Sequence, residues 1–340
     1  MIEADVYQDA KIVHNFTGAV APLTSVAVYH PGTDKDGIVF AGCWDKSIHS
    51  WSLRSREPLR RYTGHTDFVK CVLATTFLPK TAPVLISGSA DGSIIVWAVE
   101  DGRKLHVLKG HTRGVLSLAI DQASETNEGS LVLFSADSTQ EIRRWYISVS
   151  EAYQLADTPI IAHETSVNAL CFEAGPEGDL WTASSDKTVK RLVRARNWEA
   201  DTTLPHPDFV RDVKYFDESG HVVTACRDEH VRVWHATSEK LLCTFKGHFE
   251  EVTGLALGVG SPGTEAVRGK YVVSVSIDGT LRKWNVEDQD ILAQAELEKK
   301  EAEGENLEIE DPAQQSHGAN TKVMTAEEEA ELAELMEDDD

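Results

Sequence analysis

The stretch Val84-Leu-Ile-Ser-Gly-Ser-Ala-Asp91-Gly-Ser-Ile-Ile-Val-Trp97 is the clearest structural signal in this chain. An apolar run leads into a turn of small residues that contains Asp91, and a second apolar run ends at Trp97. Short runs rich in β-branched residues, separated by Gly, Ser and Asp, are typical of two strands joined by a tight turn. The stretch therefore predicts a β-hairpin.

The same hairpin recurs along the chain. Four copies keep an Asp with a Trp six residues later: Asp45/Trp51, Asp91/Trp97, Asp228/Trp234 and Asp278/Trp284. Two copies deviate, because Asp137 reaches Trp145 after two extra residues and Asp186 has Leu192 at the Trp position. Successive Asp residues lie 46, 46, 49, 42 and 50 residues apart. A period in this range is typical of repeat architectures.

A second marker precedes the hairpins. A Gly-His pair or a lone His stands before five of them: Gly64-His65, Gly110-His111, His163, His206 and Gly247-His248. The first copy has Gly18 without a His. After each marker, two apolar residues with a spacing of three predict a further short strand.

On these residues the chain resembles the WD-repeat β-propeller family over residues 11–286. The resemblance implies an all-β fold, a closed propeller of four-stranded blades around a central channel. The repeats give six blades, and seven, the commoner number in the family, is the alternative. Residues 11–18 resemble the outer strand of a blade. We expect them to pair with the last blade beside the Trp284 strand and so close the ring.

The resemblance also implies a hydrogen-bond network inside the blades, in which Asp accepts from His, His engages a hydroxyl, and the hydroxyl engages the indole N–H. Three blades carry the full set: His65, Ser87, Asp91, Trp97; His206, Thr224, Asp228, Trp234; His248, Ser274, Asp278, Trp284. A Ser-His-Asp hydrolase would need one such site with an oxyanion hole, not copies at blade spacing. We therefore expect no catalytic residues and no enzyme activity.

The other three blades lack part of the set. Blade one has Ala41 and blade three has Leu133 where the hydroxyl belongs, and blade four has Leu192 in place of Trp. We expect these blades to be held mainly by apolar packing.

Partners of this family often dock on the narrow top face around the channel. The positions implied are the third and fifth residues after the His and the residue before the Asp, which in blade three is Ala136. An aromatic and basic subset stands out: Trp44, Phe68, Lys70, Phe209, Arg211 and Arg227. Aromatic residues and Arg dominate interface energetics. We expect this subset to bind an acidic or phosphorylated peptide with an apolar anchor; alternatively, loops cover some of the rings.

The net charge of −23 is concentrated at the C-terminus, where 20 acidic and 3 basic residues follow from Asn285 onward. No basic surface favours nucleic-acid binding. The five cysteines form no C-x-x-C pair, so we expect reduced thiols and no metal or cofactor. No stretch has the length of a membrane span, and no signal pattern opens the chain. We expect a soluble protein of the cytoplasm, the nucleus or both.

Three domains are predicted: an N-terminal extension (1–10), the propeller (11–286) and an acidic tail (287–340). Within the tail, residues 290–303 have a helical composition, and residues 305–320 are typical of a disordered linker.

The end of the tail predicts a short helix at 325–337. Thr325 and Glu328 form a capping box. Leu332, Leu335 and Met336 fall on one face at helical spacing. We expect this face to bind a second partner; a solubilising tail is the alternative.

Together these features favour a non-enzymatic scaffold or adaptor, monomeric within a hetero-complex, that assembles proteins through its propeller faces and its acidic arm. One alternative is a substrate receptor of a cullin-RING ubiquitin ligase. Residues 51–54 partly resemble the Trp-Asp-x-Arg box of such receptors, with Ser52 replacing the acidic residue. The other is an escort for a basic protein, such as a ribosomal protein or histone, held by the acidic tail.

Overall fold

The computed structural model describes residues 5–6, 16–30, 36–76, 83–126, 129–259 and 270–303. Within these residues the chain forms six antiparallel sheets in chain order, followed by one α-helix. Each sheet is a blade of four strands, and blade three carries one additional two-residue strand. The predicted six-bladed propeller is confirmed.

The blades are built as meanders that run from an inner strand to an outer strand. Blade one comprises β2 (Leu23–Tyr29), β3 (Ile38–Cys43), β4 (Ser47–Ser52) and β5 (Pro58–Thr63). Blade two comprises β6 (Val69–Thr76), β7 (Pro83–Ser89), β8 (Ser93–Ala98) and β9 (Lys104–Lys109). Blade three comprises β10 (Val115–Thr126), β11 (Ser130–Asp137), β12 (Glu141–Ser148), β13 (Ala152–Gln154) and β14 (Ile160–Ile161).

The second half of the propeller repeats this plan. Blade four comprises β15 (Val167–Phe172), β16 (Leu180–Ser184), β17 (Thr188–Val193) and β18 (Glu199–Pro205). Blade five comprises β19 (Val210–Phe216), β20 (His221–Cys226), β21 (Val231–His235) and β22 (Lys240–Phe245). Blade six comprises β23 (Val252–Val259), β24 (Lys270–Ser276), β25 (Leu281–Asn285) and, from the start of the chain, β1 (Asp5–Val6).

The hydrophobic core lies between neighbouring blades. Five apolar clusters join blades one and two, two and three, three and four, four and five, and five and six. The residue three before the Trp position contributes to each cluster and is at most 1% exposed: Ile48, Ile94, Ile142, Val189 and Val231. Burial of these side chains is what fixes one blade against the next.

The sheet of blade six is completed by the start of the chain. Asp5 pairs with Lys283 and Val6 with Arg282 in an antiparallel register. The described segment that pairs beside the Trp284 strand is therefore Asp5–Val6, upstream of the predicted residues 11–18, and it completes the sheet of blade six. Residues 16–18 lie beside Trp51 of blade one, whose indole Nε1 donates a hydrogen bond of 2.8 Å to the Thr17 carbonyl. Residues 11–15 lie outside the described residues.

The helix α1 (Asp288–Glu303) follows the last blade, and the helical composition of residues 290–303 is confirmed. Ile291 is buried in the cluster between blades five and six. Gln294 Nε2 donates to the Thr244 carbonyl at 3.1 Å, and Glu298 accepts from the Thr244 N–H. The part of α1 up to Glu298 therefore covers the outer strand of blade five, an edge that would otherwise be open.

The compact unit that contains the propeller extends to Glu298. The predicted helix at 325–337 lies outside the described residues. No helix in the described part of the chain is both long and apolar enough to span a bilayer.

Candidate protein-binding face

Blade two shows how the repeated polar residues are used. His65 Nδ1 lies 3.1 Å from Asp91 Oδ2, and His65 Nε2 lies 2.8 Å from Ser87 Oγ. Trp97 Nε1 donates to Ser87 Oγ at 2.9 Å. Because a carboxylate only accepts, Nδ1 of the neutral imidazole carries the hydrogen and Nε2 accepts from the serine hydroxyl. The four side chains satisfy one another inside the blade.

The charge states in blade two fit this arrangement. Burial lowers the pKa of His65, so the ring is neutral. Burial alone would raise the pKa of Asp91, but hydrogen bonds from Ser93 and Thr66 outweigh it and lower the pKa to about 2. A neutral His and an ionised Asp form a structural network that is stable at neutral pH.

Blade six repeats the arrangement closely. His248 Nδ1 lies 3.0 Å from Asp278 Oδ2, and His248 Nε2 lies 2.7 Å from Ser274 Oγ. Trp284 Nε1 donates to the same hydroxyl at 2.8 Å. The structure therefore brings together all four residues of this blade's predicted set.

Blade five brings together only part of its set. His206 Nε2 lies 2.8 Å from Thr224 Oγ1, and Trp234 Nε1 donates to that oxygen at 3.3 Å. The expected bond from His206 to Asp228 is absent, because Arg232 binds both carboxylate oxygens and offers a full charge. His206 Nδ1 turns to the Leu204 carbonyl at 3.1 Å instead. Burial lowers the pKa of His206 to about 4.

Blade three corrects the sequence analysis, because it contains a complete network. His111 lies 3.1 Å from Asp137 Oδ2 and 2.6 Å from Ser135 Oγ, and Trp145 Nε1 donates to that hydroxyl at 2.7 Å. Leu133 is a core residue and does not occupy the hydroxyl position. Leu133 was predicted at this position because the repeats align on the Asp. In blade three the Asp precedes the Trp by eight residues instead of six.

The same shift moves a top-face position. Ala136 is fully buried, whereas Ser138 is exposed and donates its N–H to the Gly114 carbonyl at 2.9 Å. In blade two the corresponding bond runs from Ala90 to Phe68 at 2.8 Å. Ser138, and not Ala136, is therefore the blade-three counterpart of Ala90.

Blade four also has more of the network than expected. His163 lies 2.8 Å from both Asp186 Oδ2 and Thr182 Oγ1. Only the indole is missing, because Leu192 packs in the apolar cluster shared with blade three. The expectation that apolar packing replaces the network is therefore wrong for blades three and four.

Blade one uses a different local network. Asp45 Oδ2 lies 2.9 Å from His49 Nε2 and accepts from Arg61 at the same distance. Burial alone would raise the pKa of Asp45, but hydrogen bonds from Ser47 and His49 lower it well below its usual range. His49 pairs across the sheet with Ala41, and the Thr17 carbonyl accepts from the Trp51 indole in place of the missing hydroxyl.

The top-face candidates form two groups. In the first, Trp44 stacks on Phe68 with ring centroids 5.2 Å apart and planes 16° apart. Trp44 is 47% exposed, and Phe68 and Lys70 are half-buried. Trp44 donates its N–H to the Pro22 carbonyl at 3.0 Å, which fixes the turn after β3 against the start of β2 within blade one. The rings are therefore preorganised and accessible.

The second group surrounds Phe209 in blade five. The guanidinium of Arg227 lies 5.3 Å from the ring centroid, and that of Arg211 lies 6.0 Å from it. Arg227 also donates its N–H to the Phe209 carbonyl at 2.9 Å. Arg211 forms an ion pair with Glu251 of blade six. Arg227 is exposed, and the described residues show no ion pair for it.

Comparison with known proteins now adds to this geometry. Residues 56–98, 198–235 and 239–285 match the family described as "WD domain, G-beta repeat". An uncharacterised WD repeat-containing protein of Schizosaccharomyces pombe is 32% identical over 96% of this chain and 80% of its own length. The chain belongs to the WD-repeat family.

Further relatives of this WD-repeat protein are more distant. The nuclear distribution protein PAC1 of Arthroderma otae is 28% identical over 75% of this chain and 48% of its own length. Pre-mRNA-processing factor 19 of Bos taurus is 23% identical over 56% of this chain and 36% of its own length. The chain thus spans about half or less of these two relatives. WD-repeat proteins generally serve as protein-interaction scaffolds, and the fold is typically non-enzymatic.

Within the described part of this WD-repeat protein, two clusters have the residue types of a metal site: Cys43, Asp45 and His49, and His111, Asp137 and Glu141. In the first, Arg61 already binds the Asp45 carboxylate. In the second, both ring nitrogens of His111 are engaged and Glu141 pairs with Arg143. Their ligand atoms already serve the blade networks.

The two top-face groups lie in different blades and share no ring or cation contact among the described residues. Leu332, Leu335 and Met336 lie outside the described residues. Sequence reasoning missed Ser135, His163 as a bonded residue, and the docking of α1 through Ile291. A Trp-based alignment would have found Ser135, but α1 carries no docking motif of its own.

Proposed function

We propose that this WD-repeat protein is a non-enzymatic scaffold whose top face binds an acidic or phosphorylated peptide with an apolar anchor. The observation that carries the proposal is Phe209 with Arg227 at its ring and Arg211 beside it. A carboxylate or phosphate that approaches Arg227 meets an exposed, planar donor that can bind two oxygens at once.

The roles of the two arginines differ. Arg211 is held by Glu251, so its charge is partly balanced before any ligand arrives. Arg227 has its ring contact with Phe209 and remains accessible. Arg227 is therefore the main anchor for an acidic group, and Phe209 offers apolar area beside it.

The Trp44–Phe68 stack supports a second contact on the same face. An offset aromatic pair offers a rigid apolar platform at low entropic cost. Lys70 follows on the inner strand of blade two. A peptide with an apolar anchor can use this platform, while its acidic residues meet blade five.

Selection from a random phosphopeptide and acidic-peptide library with the full chain tests this proposal. We expect enrichment of peptides that combine acidic or phosphorylated residues with one aromatic or aliphatic residue. The variant F209A/R227A should lose this enrichment, and R103A, on an exposed turn of blade two, should keep it. The proposal would be contradicted if F209A/R227A kept the enrichment, or if wild type enriched only neutral peptides.

One observation favours the ubiquitin-ligase alternative as a second candidate. The Asp36 carboxylate accepts from Ser52 Oγ and from the Arg54 N–H, the latter at 3.0 Å. A carboxylate from another loop thus stands where the box has its acidic residue. If the full chain binds the ligase adaptor and R54A does not, this candidate is supported. If the full chain does not bind the adaptor, this candidate is excluded.

The escort alternative depends on the acidic tail (287–340), of which residues 304–340 lie outside the described residues. It predicts salt-sensitive binding of a basic protein that is lost on removal of residues 304–340. The expected compartments remain the cytoplasm and the nucleus, and imaging of the full chain in cells tests them.

A further inference from the structure

Blade three carries an insertion at its outer edge. In blades one, two, four and five, the His of the next repeat follows the Trp position by 14 residues, whereas His163 follows Trp145 by 18. The four extra residues interrupt the outer strand, because β13 ends at Gln154 and β14 begins at Ile160. Arg144 of β12 lies in register between these two pieces.

A cavity of about 380 Å³ lies at this interruption, between the outer rims of blades three and four. Its lining includes Arg144, Thr158 and Ile160 on the side of blade three, and Asn197, Trp198 and Glu199 on the side of blade four. Both the volume and the combination of apolar walls with a few polar groups are typical of sites for small ligands.

The first polar group at this cavity is the guanidinium of Arg144, which is half-buried. Arg144 stands one residue before the Trp position, where blade four has Arg191. Arg191 forms ion pairs with Glu173 and Asp179, whereas within the described residues the Arg144 guanidinium has no ion pair and no hydrogen bond. A guanidinium that the fold does not use is suited to bind the carboxylate of a ligand.

The second group is the indole of Trp198. Its φ of 68° is a left-handed conformation that bulky residues rarely adopt, and a ring contact with Phe134 at 4.9 Å between centroids helps to fix it. Trp198 is only 7% exposed, yet its indole N–H has no acceptor in the described part of the chain. Because buried Trp N–H groups usually have an acceptor, this wall offers a second donor to a ligand.

The third group is the carboxylate of Glu199, which is exposed and lines the same cavity. Among the described residues Glu199 forms no ion pair with Arg144 or with any other cation. Two opposite charges that line one cavity without pairing are complementary to a ligand that carries both charges.

The corresponding rim of blade one lacks such free groups. A cavity of about 230 Å³ lies there, and His49, Trp51 and Arg61 are part of its lining. His49 and Arg61 both contact the Asp45 carboxylate at 2.9 Å, and Trp51 donates to the Thr17 carbonyl. These three groups are committed to the fold, unlike those between blades three and four.

We propose that the cavity between blades three and four binds a free apolar α-amino acid. The ligand carboxylate binds Arg144 and accepts from the Trp198 N–H, the ligand ammonium group pairs with Glu199, and the ligand side chain packs on Ile160. A residue inside a peptide chain carries neither backbone charge, so a free amino acid satisfies the site where an internal peptide segment does not. This site is separate from the top-face groups.

Isothermal titration calorimetry of the full chain with L-leucine, L-isoleucine, L-phenylalanine and L-tryptophan tests the proposal. We expect at least one of the four to bind. Its methyl ester and its N-acetyl derivative should each bind about tenfold or more weakly, because each derivative lacks one of the two charges.

Two variants assign the two charges. R144Q should abolish the preference for the free carboxylate over the ester, and E199Q should abolish the preference for the free amine over the N-acetyl derivative. Both substitutions remove groups without partners among the described residues, so the melting temperatures should equal that of wild type. R196Q, at an exposed arginine of the same turn, is the matched control and should bind like wild type.

The indole N–H resonances of the nitrogen-15-labelled chain locate the site. W198F identifies the Trp198 signal by its loss, and in wild type this signal should shift when the amino acid is added. The proposal is overturned if none of the four amino acids binds, if either derivative binds as well as the amino acid, if R144Q or E199Q keeps its preference, or if the Trp198 signal does not shift. F209A/R227A should bind the amino acid like wild type, which separates this outcome from failure of the top-face proposal.

Discussion

Trp145 Nε1 donates a hydrogen bond of 2.7 Å to Ser135 Oγ, ten residues earlier in the chain. The same separation of ten joins Trp97 to Ser87, Trp234 to Thr224 and Trp284 to Ser274. The separation is constant because hydroxyl and indole lie on paired strands of one hairpin with fixed register. The Asp lies in the turn between them, where its position can shift.

The first prediction concerns Ser135. The substitution S135A leaves both Trp145 Nε1 and His111 Nε2 without their buried partner, so the free energy of unfolding should fall by about 1–3 kcal/mol. Urea denaturation measures this. The control S138A, at an exposed position three residues away, should change it by less than about 0.5 kcal/mol. Equal effects of the two substitutions would refute the role of Ser135.

The second prediction is a pH dependence from His206. Its folded pKa of about 4 lies below the ordinary value of 6.5, so the unfolded chain binds the proton first as the pH falls. Stability is therefore full above pH 6.5 and is lost progressively toward pH 4, by about 3 kcal/mol from this residue. The lowered pKa values of His65 and His248 act in the same direction.

Denaturation of wild type and H206Q between pH 4 and pH 7 checks this dependence. H206Q should have a shallower slope than wild type between pH 6.5 and pH 4. Asp91, with a pKa of about 2, should contribute its loss only below pH 4. A slope unchanged in H206Q would show that His206 does not titrate as described.

The third prediction compares one position in two blades. In G88V the new side chain meets Cys71 and Val115, because a Cβ alone would lie 2.7 Å from each. The free energy of unfolding should fall by about 1–3 kcal/mol. The reverse change V275G, at the corresponding and exposed position of blade six, should cost less than about 1 kcal/mol, mainly through strand propensity. Similar costs for both would mean that blade six packs like the others.

The fourth prediction concerns the docking of α1. Ile291 is 4% exposed and packs between blades five and six, so I291A should destabilise the protein by about 2 kcal/mol. Leu292, its exposed neighbour, provides the control, and L292A should be neutral within about 0.5 kcal/mol. Both are measured by thermal and chemical denaturation. If the two variants behave alike, Ile291 does not anchor the helix.

Much of the fold was predictable from the sequence, because the repeated Asp, Trp and His residues belong to local hairpins. The full networks of blades two and six follow directly from that pattern. The Asp positions did not predict Ser135, because the turn that contains Asp137 is two residues longer while the strand register of Ser135 and Trp145 is unchanged. The bond from His206 to Asp228 was predicted but is not formed, because Arg232 binds the Asp228 carboxylate. Arg232 belongs to no motif and could not be recognised from the repeat pattern.

Features that depend on contact between distant segments were not visible in the sequence. The pairing of Asp5 and Val6 with the last blade involves two residues without a distinctive pattern. The ion pair of Arg211 with Glu251 joins two blades, and it shifts the candidate anchor to Arg227. The exposure of Val275 in blade six was apparent only in the structure, although the five other blades have Gly or Ala at this position of the sequence.

The most direct test of the central claim is the equilibrium affinity of the full chain for the best library-selected acidic peptide, measured by isothermal titration calorimetry. R227E should weaken binding at least about tenfold, because it replaces the exposed guanidinium with a like charge. R103E, which makes the same change in charge on the outer turn of blade two, should bind like wild type. Equal affinities of wild type and R227E would contradict the assignment of the top face of blade five as the peptide-binding site.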